Sequence, residues 1–155
     1  MPLKTSRPID QTDWNLISEL HRDARQSFSE LGRKVGLSQP ATAERIKSLE
    51  SSGIIRGYRV EVDREKLGYA LEAFIRIETE GDKCRGLQKN IAGLPEVLEC
   101  HRVTGEGSYI IRAALQSVAH LEALIDRLLP FGSPTTSIVL STPLPLRNVV
   151  STSAT

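Results

Sequence analysis

Cysteine, aromatic residues and long apolar runs are all scarce in this chain of 155 residues, and each scarcity excludes a class of protein. The two cysteines, Cys84 and Cys100, match no spacing that is typical of metal ligands or redox pairs. Aromatic residues make up 5% of the chain, which argues against an RNA-binding module that stacks bases on its rings. We therefore expect no metal site, and we interpret both cysteines as buried free thiols.

The chain also lacks the signals of a membrane protein, a secreted protein or an enzyme. No stretch approaches the roughly 20 apolar residues of a membrane-spanning helix, so no membrane partner is expected. The start, Met1–Lys4, has no apolar signal core, which predicts a cytoplasmic protein. The histidines His21, His101 and His120 are isolated, and no motif for metal-assisted, phosphate-binding or nucleophilic chemistry is present. Because Cys100 precedes His101 on a predicted strand, their side chains point to opposite faces. We expect neither an enzyme nor a cofactor.

Positive charge is concentrated in one segment, although the formal net charge of the chain is only +1. Residues 33–59 carry six basic side chains and two acidic ones. Such a patch attracts phosphate even when the whole protein is nearly neutral. The six basic residues are Arg33, Lys34, Arg45, Lys47, Arg56 and Arg59.

Two short helices are predicted near the N-terminus from their capping residues and apolar spacing. Asp10 can cap the free amide groups of the first helix, which we expect to end near residues 21–22. Ser27 and Glu30 have the spacing of a capping box for the second helix, which we expect over Phe28–Val35.

A third helix follows after a connection of only three residues. Gly36 suits the left-handed conformation that ends the second helix. Ser38 caps the third, Pro40 falls in its first turn, and Gly53 stops it. A gap this short excludes antiparallel packing, so the pair indicates a helix-turn-helix whose second helix turns its polar N-terminal face outward. The alternative is a plain helical hairpin with a solvated charged face.

The outward face of the third helix has a length and polarity that suit the major groove of duplex DNA. Beyond it, a period-two pattern over Tyr58–Val62 predicts a short strand, or wing. We interpret the wing arginines as phosphate contacts, the alternative being solvated charges at a strand edge. The predicted DNA-binding residues are Ser38, Gln39, Pro40, Thr42, Ala43, Glu44, Arg45, Lys47, Ser48, Arg56 and Arg59.

The second half of the chain predicts the element order βαββαβ, the split ferredoxin-like unit. Its two helices cover one face of the sheet. The other face, which holds Phe74, is expected to pack against a second copy of the chain. The strands are predicted at 71–79, 97–103, 108–115 and 135–141, and the helices at 83–92 and 118–129.

The predicted fold class is α+β, an N-terminal winged helix-turn-helix followed by a ferredoxin-like domain. The domain limits follow from the elements, and the Ser-, Thr- and Pro-rich end is expected to fray. In chain order we predict a disordered arm at 1–8, the winged helix-turn-helix at 9–62, a hinge at 63–70, the ferredoxin-like domain at 71–141 and a tail at 142–155.

Several short motifs occur along the chain in one order. The first half carries Ile9-Asp10-x-x-Asp13-x-x-Leu16-Ile17-x-x-Leu20, Glu30-Leu31-Gly32, Gly36-Leu37-Ser38 and Arg45-Ile46-x-x-Leu49-Glu50-x-x-Gly53-Ile54-Ile55. The second half carries Leu94-Pro95-Glu96-Val97, Val103-Thr104-Gly105-Glu106 and Ile138-Val139-Leu140. In this order and spacing they resemble the leucine-responsive regulatory protein/AsnC (Lrp/AsnC) family of transcription regulators.

The resemblance implies a sequence-specific regulator of transcription that binds double-stranded DNA and associates with the nucleoid. It also implies a ligand-sensing C-terminal domain and a homo-oligomer, in which dimers assemble further, often to an octamer. Family members sense amino acids or related metabolites between neighbouring protomers. The predicted effector-binding residues are Thr104, Gly105, Glu106, Gly107 and Ser108 at the turn, together with Thr135 and Thr136 on the last strand. Thr135 and Thr136 are included because their hydroxyls suit the lining of a pocket, the alternative being that they are plain strand residues.

One motif departs from the family pattern. The turn between the second and third strands of the C-terminal domain usually reads Gly-Glu-x-Asp, and here it is Gly105-Glu106-Gly107-Ser108. The carboxylate that could pair with an effector's ammonium group is missing, and a buried ammonium without a partner is costly. Two hypotheses therefore stay open: a regulator that answers to an amino acid or another small metabolite, and a DNA-organising protein that needs no effector.

Overall fold

The structure is a computed structural model that describes residues 8–104, 109–147 and 149. It divides into two compact units. The first runs to Val60 and includes the described residues from Pro145 onward, and the second is Glu61–Leu144. Residues 1–7 of the predicted arm and 148 and 150–155 of the predicted tail lie outside the described residues.

The first unit contains three helices with the predicted limits. In α1, Asp10 and Asp13 form a reciprocal capping box, in which each carboxylate accepts the other residue's backbone N–H. In α2, the hydroxyl of Ser27 accepts the N–H of Glu30, and the carboxylate of Glu30 accepts the N–H of Ser27. Ser38 caps α3, where its hydroxyl accepts the N–H of Ala41. The helices are α1 Gln11–Arg22, α2 Phe28–Val35 and α3 Gln39–Ser51.

The connection between α2 and α3 brings the two helices very close together. Gly36 ends α2 in the left-handed conformation at φ 75°, as predicted. One turn earlier, the position of Gly32 leaves no room for a side chain, because a Cβ atom there would lie 2.6 Å from the carbonyl oxygen of Leu37. The same atom would lie 2.8 Å from the hydroxyl of Thr42. Leu16, Leu31 and Ile46, one from each helix, form the small core.

The second unit is the predicted βαββαβ sheet with two helices. The sheet order is β2-β3-β1-β4, and every neighbouring pair is antiparallel. The register shifts between Val97 and Glu99, where β2 pairs with β3. The elements are β1 Leu71–Glu78, α4 Lys83–Ile91, β2 Val97–Arg102, β3 Tyr109–Leu115, α5 Val118–Leu128, a 3-10 turn at Leu129–Phe131, and β4 Ser133–Ile138.

The core of the second unit lies between the helices and one face of the sheet. Ile75 and Ile77 of β1 and Ile111 of β3 are fully buried there, against Leu87 of α4 and Leu124 of α5. The other sheet face carries alternate residues such as Phe74, which remains 41% exposed. One face is therefore covered within the chain and the opposite face is open, as the element order predicted.

Two predicted strands differ from the observed ones. The wing strand is not formed, since residues 56–63 adopt neither helix nor strand and Val60 is 86% exposed. A strand needs a neighbour for its backbone hydrogen bonds, and the described part of the chain supplies none there. β4 is Ser133–Ile138 rather than the predicted 135–141, so it begins two residues earlier and ends three residues earlier. Gly132 and Pro134 indicated a break, but proline is tolerated because β4 is an edge strand.

The longest described helix has 13 residues, and none of the described helices is both long and apolar enough to cross a membrane.

Gly32→Ala tests how closely α2 and α3 are packed. Alanine favours a helix interior by about 1 kcal/mol over glycine. The close contact with the Leu37 backbone should outweigh this gain, because backbone must move to relieve it, and we expect a net destabilisation of about 1–2 kcal/mol. Urea unfolding followed by the fluorescence of Trp14, the single tryptophan, reports on the first unit.

The control is Gly36→Ala, which meets no atom within 4 Å and carries only the strain of a positive φ. Gly32→Ala with stability equal to or above that of the wild type would contradict the close packing.

Candidate nucleic-acid interface

The helix α3 turns one polar face to solvent. Its buried side chains, among them Ile46 and Leu49, all lie on the side that packs into the first unit. The opposite side presents rows of residues spaced by one turn, which is the spacing at which neighbouring side chains share a helix face. Six of the predicted DNA-binding residues are exposed, while Ala43 is half-buried. Glu44, Lys47 and Ser48 lie along the outward side, and Ser38, Gln39 and Pro40 are exposed at the N-terminal end of the helix.

Thr42 does not belong to this face, contrary to the prediction from sequence. Its side chain is fully buried, and its hydroxyl donates a hydrogen bond to the carbonyl oxygen of Ser38 at 2.9 Å. It lies against Gly32, on the same side of α3 as Ile46. A buried residue that helps to join two helices cannot reach a base or a phosphate without unfolding its surroundings.

Arg45 lies at the edge of this face, and its side chain is paired within the fold. Its guanidinium Nη1 is 2.8 Å from a carboxylate oxygen of Asp10 and 2.9 Å from one of Asp13, at the N-terminus of α1. The hydrogen bonds to these two carboxylates raise the pKa of Arg45, so the group stays fully charged. The structure therefore brings Arg45 to α1 rather than to the exposed face of α3.

The segment after α3 is held by a tyrosine. The hydroxyl of Tyr58 donates a hydrogen bond to the carboxylate of Glu50 near the end of α3, at 2.9 Å. Burial, together with this hydrogen bond, raises the pKa of Tyr58 to about 12. Arg56 and Arg59, on either side of the tyrosine, are both exposed. They are thus available to phosphate although the wing strand itself is not formed.

The six basic residues of the charged segment therefore fall into two groups. Arg45 is paired as described above, and the ammonium of Lys34 lies 2.8 Å from the carboxylate of Glu19. This hydrogen bond lowers the pKa of Glu19. The other four side chains are exposed: Arg33, Lys47, Arg56 and Arg59.

The open face of the sheet carries a chain of charged contacts that the sequence did not reveal. One oxygen of Glu72 accepts from Nε of Arg112 at 2.8 Å, and the other accepts from Arg64 at 3.1 Å. Arg112 also contacts Glu99 at 3.3 Å and lies over the ring of Phe74, 5.9 Å from its centre. Arg64 belongs to the predicted hinge, so this end of the hinge is tied to the sheet.

The two predicted effector-binding residues on β4 do not share one face of the sheet. Thr135 pairs with Arg76 on the open face of the sheet, whereas Thr136 pairs with the buried Ile75 on the helix side. Thr104 is exposed. The turn 105–108, with Gly105, Glu106, Gly107 and Ser108, lies outside the described residues.

A shallow groove of about 450 Å³ lies between α4 and the edge strand β2. The residues that line it include the apolar Ile91, the charged Glu99 and Arg102, and Tyr109. The hydroxyl of Tyr109 is held by the amide of Gln88 at 2.8 Å. Arg102 is the last residue of β2, and Tyr109 is the first residue of β3.

Both halves of the chain match models of known protein families. Residues 9–50 match the AsnC-type helix-turn-helix domain, and residues 72–149 match the Lrp/AsnC ligand-binding domain. The chain belongs to the Lrp/AsnC family. This Lrp/AsnC protein is a helix-turn-helix transcription regulator with a ligand-binding domain, which confirms the resemblance seen in its sequence.

Relatives match this Lrp/AsnC regulator over nearly their whole length. The HTH-type transcriptional regulator YezC of Bacillus subtilis is 41% identical, over 86% of this chain and 94% of its own. The solved structure of LrpC from the same bacterium is 34% identical, with a TM-score of 0.84 over 87% of this chain and 96% of its own. A Neisseria meningitidis regulator solved in complex with L-Met is 29% identical, with a TM-score of 0.83 over 88% and 93%.

The relatives of this chain are named as transcription regulators. Cys100 pairs with Ile111 on the helix side of the sheet, while His101 pairs with Ile110 on the open side. The two side chains therefore lie on opposite faces, as predicted. No group of three or more potential metal ligands occurs within residues 8–104, 109–147 and 149.

Thr42→Val tests whether Thr42 is a core residue of this regulator. The substitution removes the hydroxyl and its hydrogen bond to Ser38, and we expect a loss of about 1 kcal/mol in the free energy of unfolding. Affinity for duplex DNA and its dependence on salt should not change, because the side chain is buried. Urea unfolding and fluorescence-anisotropy titrations at several salt concentrations measure the two quantities. A lower affinity at unchanged fold would place Thr42 in the interface after all.

Proposed function

We propose that this Lrp/AsnC regulator binds duplex DNA with α3 in the major groove, and that Arg56 and Arg59 bind the backbone phosphates next to that groove. The observation that supports the proposal most is the polar face of α3, which is exposed to solvent. It stays exposed because the connection between α2 and α3 is too short for the two helices to pack antiparallel. Gln39 lies at the N-terminal end of the helix, the end that enters the groove in helix-turn-helix proteins. An amide at that position can make two hydrogen bonds to one adenine.

The electrostatics of the same surface supports this orientation. Lys47, Arg56 and Arg59 are exposed, and one acidic residue, Glu44, accompanies them on the outward face of α3. Three positive side chains per protomer give about six phosphate contacts in a dimer. The logarithm of the binding constant should then fall with the logarithm of the salt concentration with a slope near −5.

The dimer itself is proposed to form through the open face of the second unit. Phe74 is 41% exposed on that face, and the charged groups around it already satisfy one another, which lowers the cost of removing them from water. A second copy offers the same surface, so a two-fold contact is self-complementary. Assembly of dimers up to an octamer is the further step that we propose from the family resemblance.

For the second unit we propose binding of an amino acid or a related metabolite near the turn 105–108. The groove beside Arg102 offers a positive group for a carboxylate and an apolar wall for a side chain. The L-Met complex of the Neisseria relative supports this class of ligand. The second candidate, a DNA-organising protein without an effector, is favoured by Ser108, which stands where an acidic residue would pair with the ligand's ammonium group.

The DNA-binding proposal is tested with a duplex selected in vitro from random sequences and a mixed-sequence duplex as reference. Gln39→Ala should weaken binding to the selected duplex by about 1–3 kcal/mol and leave the reference unchanged, because a lost base contact affects only the preferred site. Lys47→Ala should weaken both and make the salt slope shallower. Gel-shift titrations over a salt series measure the affinity for the selected duplex, the affinity for the reference duplex and the salt slope.

Two outcomes would count against this interface. If the affinity of the wild type for DNA does not depend on salt concentration, the proposed phosphate contacts are wrong. Equal losses on both duplexes for Gln39→Ala would remove its role in reading bases.

Ser108→Asp tests the effector proposal. A carboxylate at this turn supplies a partner for an ammonium group, so amino-acid affinity should appear or rise in the variant. A thermal-shift screen of wild type and variant against the common amino acids detects binding, since a ligand of the native state raises its melting temperature. Ser108→Asn, similar in size but uncharged, is the control. Tight binding by the wild type that Ser108→Asp weakens would show that the missing carboxylate is no deficit.

A further inference from the structure

Arg45 occupies a particular place on α3, beside the buried residues rather than among them. The next residue, Ile46, is 2% exposed, while the Arg45 side chain is 28% exposed. Its neighbour on the other side, Glu44, belongs to the exposed face. From this position the guanidinium reaches across to the start of α1, 35 residues earlier in the chain at Asp10.

The two carboxylates that hold Arg45 are themselves fixed. One oxygen of Asp10 accepts the N–H of Asp13 at 2.9 Å, and the other contacts Arg45 at 2.8 Å. One oxygen of Asp13 accepts the N–H of Asp10 at 3.1 Å, and the other contacts Arg45 at 2.9 Å. The capping box of α1 thus leaves one oxygen of each aspartate directed at α3. Arg45 joins the first turn of one helix to the middle of the other.

A phosphate would have to compete with this arrangement. The Asp13 side chain is 1% exposed, and withdrawing a cation from a buried carboxylate is far more costly than exchanging solvated ions. The two carboxylates also repel an approaching phosphate. Lys47 and Arg59, by contrast, are exposed side chains that can turn toward DNA.

We propose that Arg45 is a positioning residue for the DNA-reading helix, which it orients through Asp10 and Asp13, and that it makes no phosphate contact. The proposal rests on the DNA-binding role of α3 proposed above. Under this proposal the basic residues of the first unit have two different roles. Arg45 fixes the angle at which α3 is presented, and Lys47, Arg56 and Arg59 bind the DNA backbone.

Salt dependence distinguishes a positioning role from a phosphate contact. On the selected duplex, Arg45→Gln should weaken binding about tenfold, an effect of the size usual for coupled residues, with an unchanged salt slope. Lys47→Gln, the matched control on the same helix, should make the slope shallower by about 0.9 per protomer. On a mixed-sequence duplex Arg45→Gln should have little effect, because helix orientation matters only for base reading. A slope for Arg45→Gln as shallow as that of Lys47→Gln would overturn the proposal.

Asp10→Asn provides a second test that does not depend on the folding of Arg45→Gln. Asparagine is also a good N-cap, so α1 should be retained. Under the proposal, loss of this ionic partner weakens binding to the selected duplex about threefold, and the double variant with Arg45→Gln binds no more weakly than Arg45→Gln alone. If Arg45 is instead a phosphate contact, Asp10→Asn releases it, and binding becomes tighter with a steeper slope.

The control for the change in charge is Glu19→Gln, which removes an acidic group that pairs with Lys34 and Arg22 and does not contact Arg45. Tighter binding by Asp10→Asn, equal to that of Glu19→Gln, would overturn the positioning role. A wild type without salt-dependent binding would instead count against the DNA-binding face itself. Circular dichroism of each variant establishes that the helices are present.

Discussion

The first unit depends on the close approach of α2 and α3 at Gly32. The connection of three residues, Gly36–Ser38, is too short for α3 to pack antiparallel to α2, so α3 has to cross α2. The crossing is possible because Gly32 has no side chain to separate the helix from the backbone of Leu37. Once the angle is set, Ile46 and Leu49 must face inward, and the remaining side of α3 must face solvent. The exposed polar face of α3, which we propose as the DNA-binding surface, is thus a consequence of packing.

The electrostatics of the first unit follows from the same geometry. A basic residue on the solvent side of α3 or in the segment after it is available to a partner, as are Lys47 and Arg56. A basic residue on the flank of α3, such as Arg45, meets the acidic start of α1 instead. The net charge of a segment therefore overstates how much of its charge can bind phosphate. The position of a basic residue on the helix decides whether it forms an ion pair within the protein or stays exposed to a partner.

The second unit is built on the opposite principle, since it leaves a whole surface uncovered. Two helices cover only one face of a four-stranded sheet, and the open face carries Phe74 among ion pairs centred on Glu72 and Arg112. These pairs connect β1, β2, β3 and the segment that holds Arg64. Such a surface is stable in water and is also suited to an interface with a second copy, because its charges do not require new partners when they are buried.

Interactions between residues close in sequence determine the limits of the helices and the buried face of β1, so these features were predicted from the sequence alone. Asp10, Ser27 and Ser38 fixed where the helices begin, Gly36 fixed where α2 ends, and the alternation along β1 fixed which face is buried, because caps and periodicity depend on near neighbours. Tertiary structure alone decided the partners of Arg45, the burial of Thr42, the absence of the wing strand and the separation of Thr135 from Thr136. Each of these depends on what another element brings to the same place, and no pattern of near neighbours contains that information.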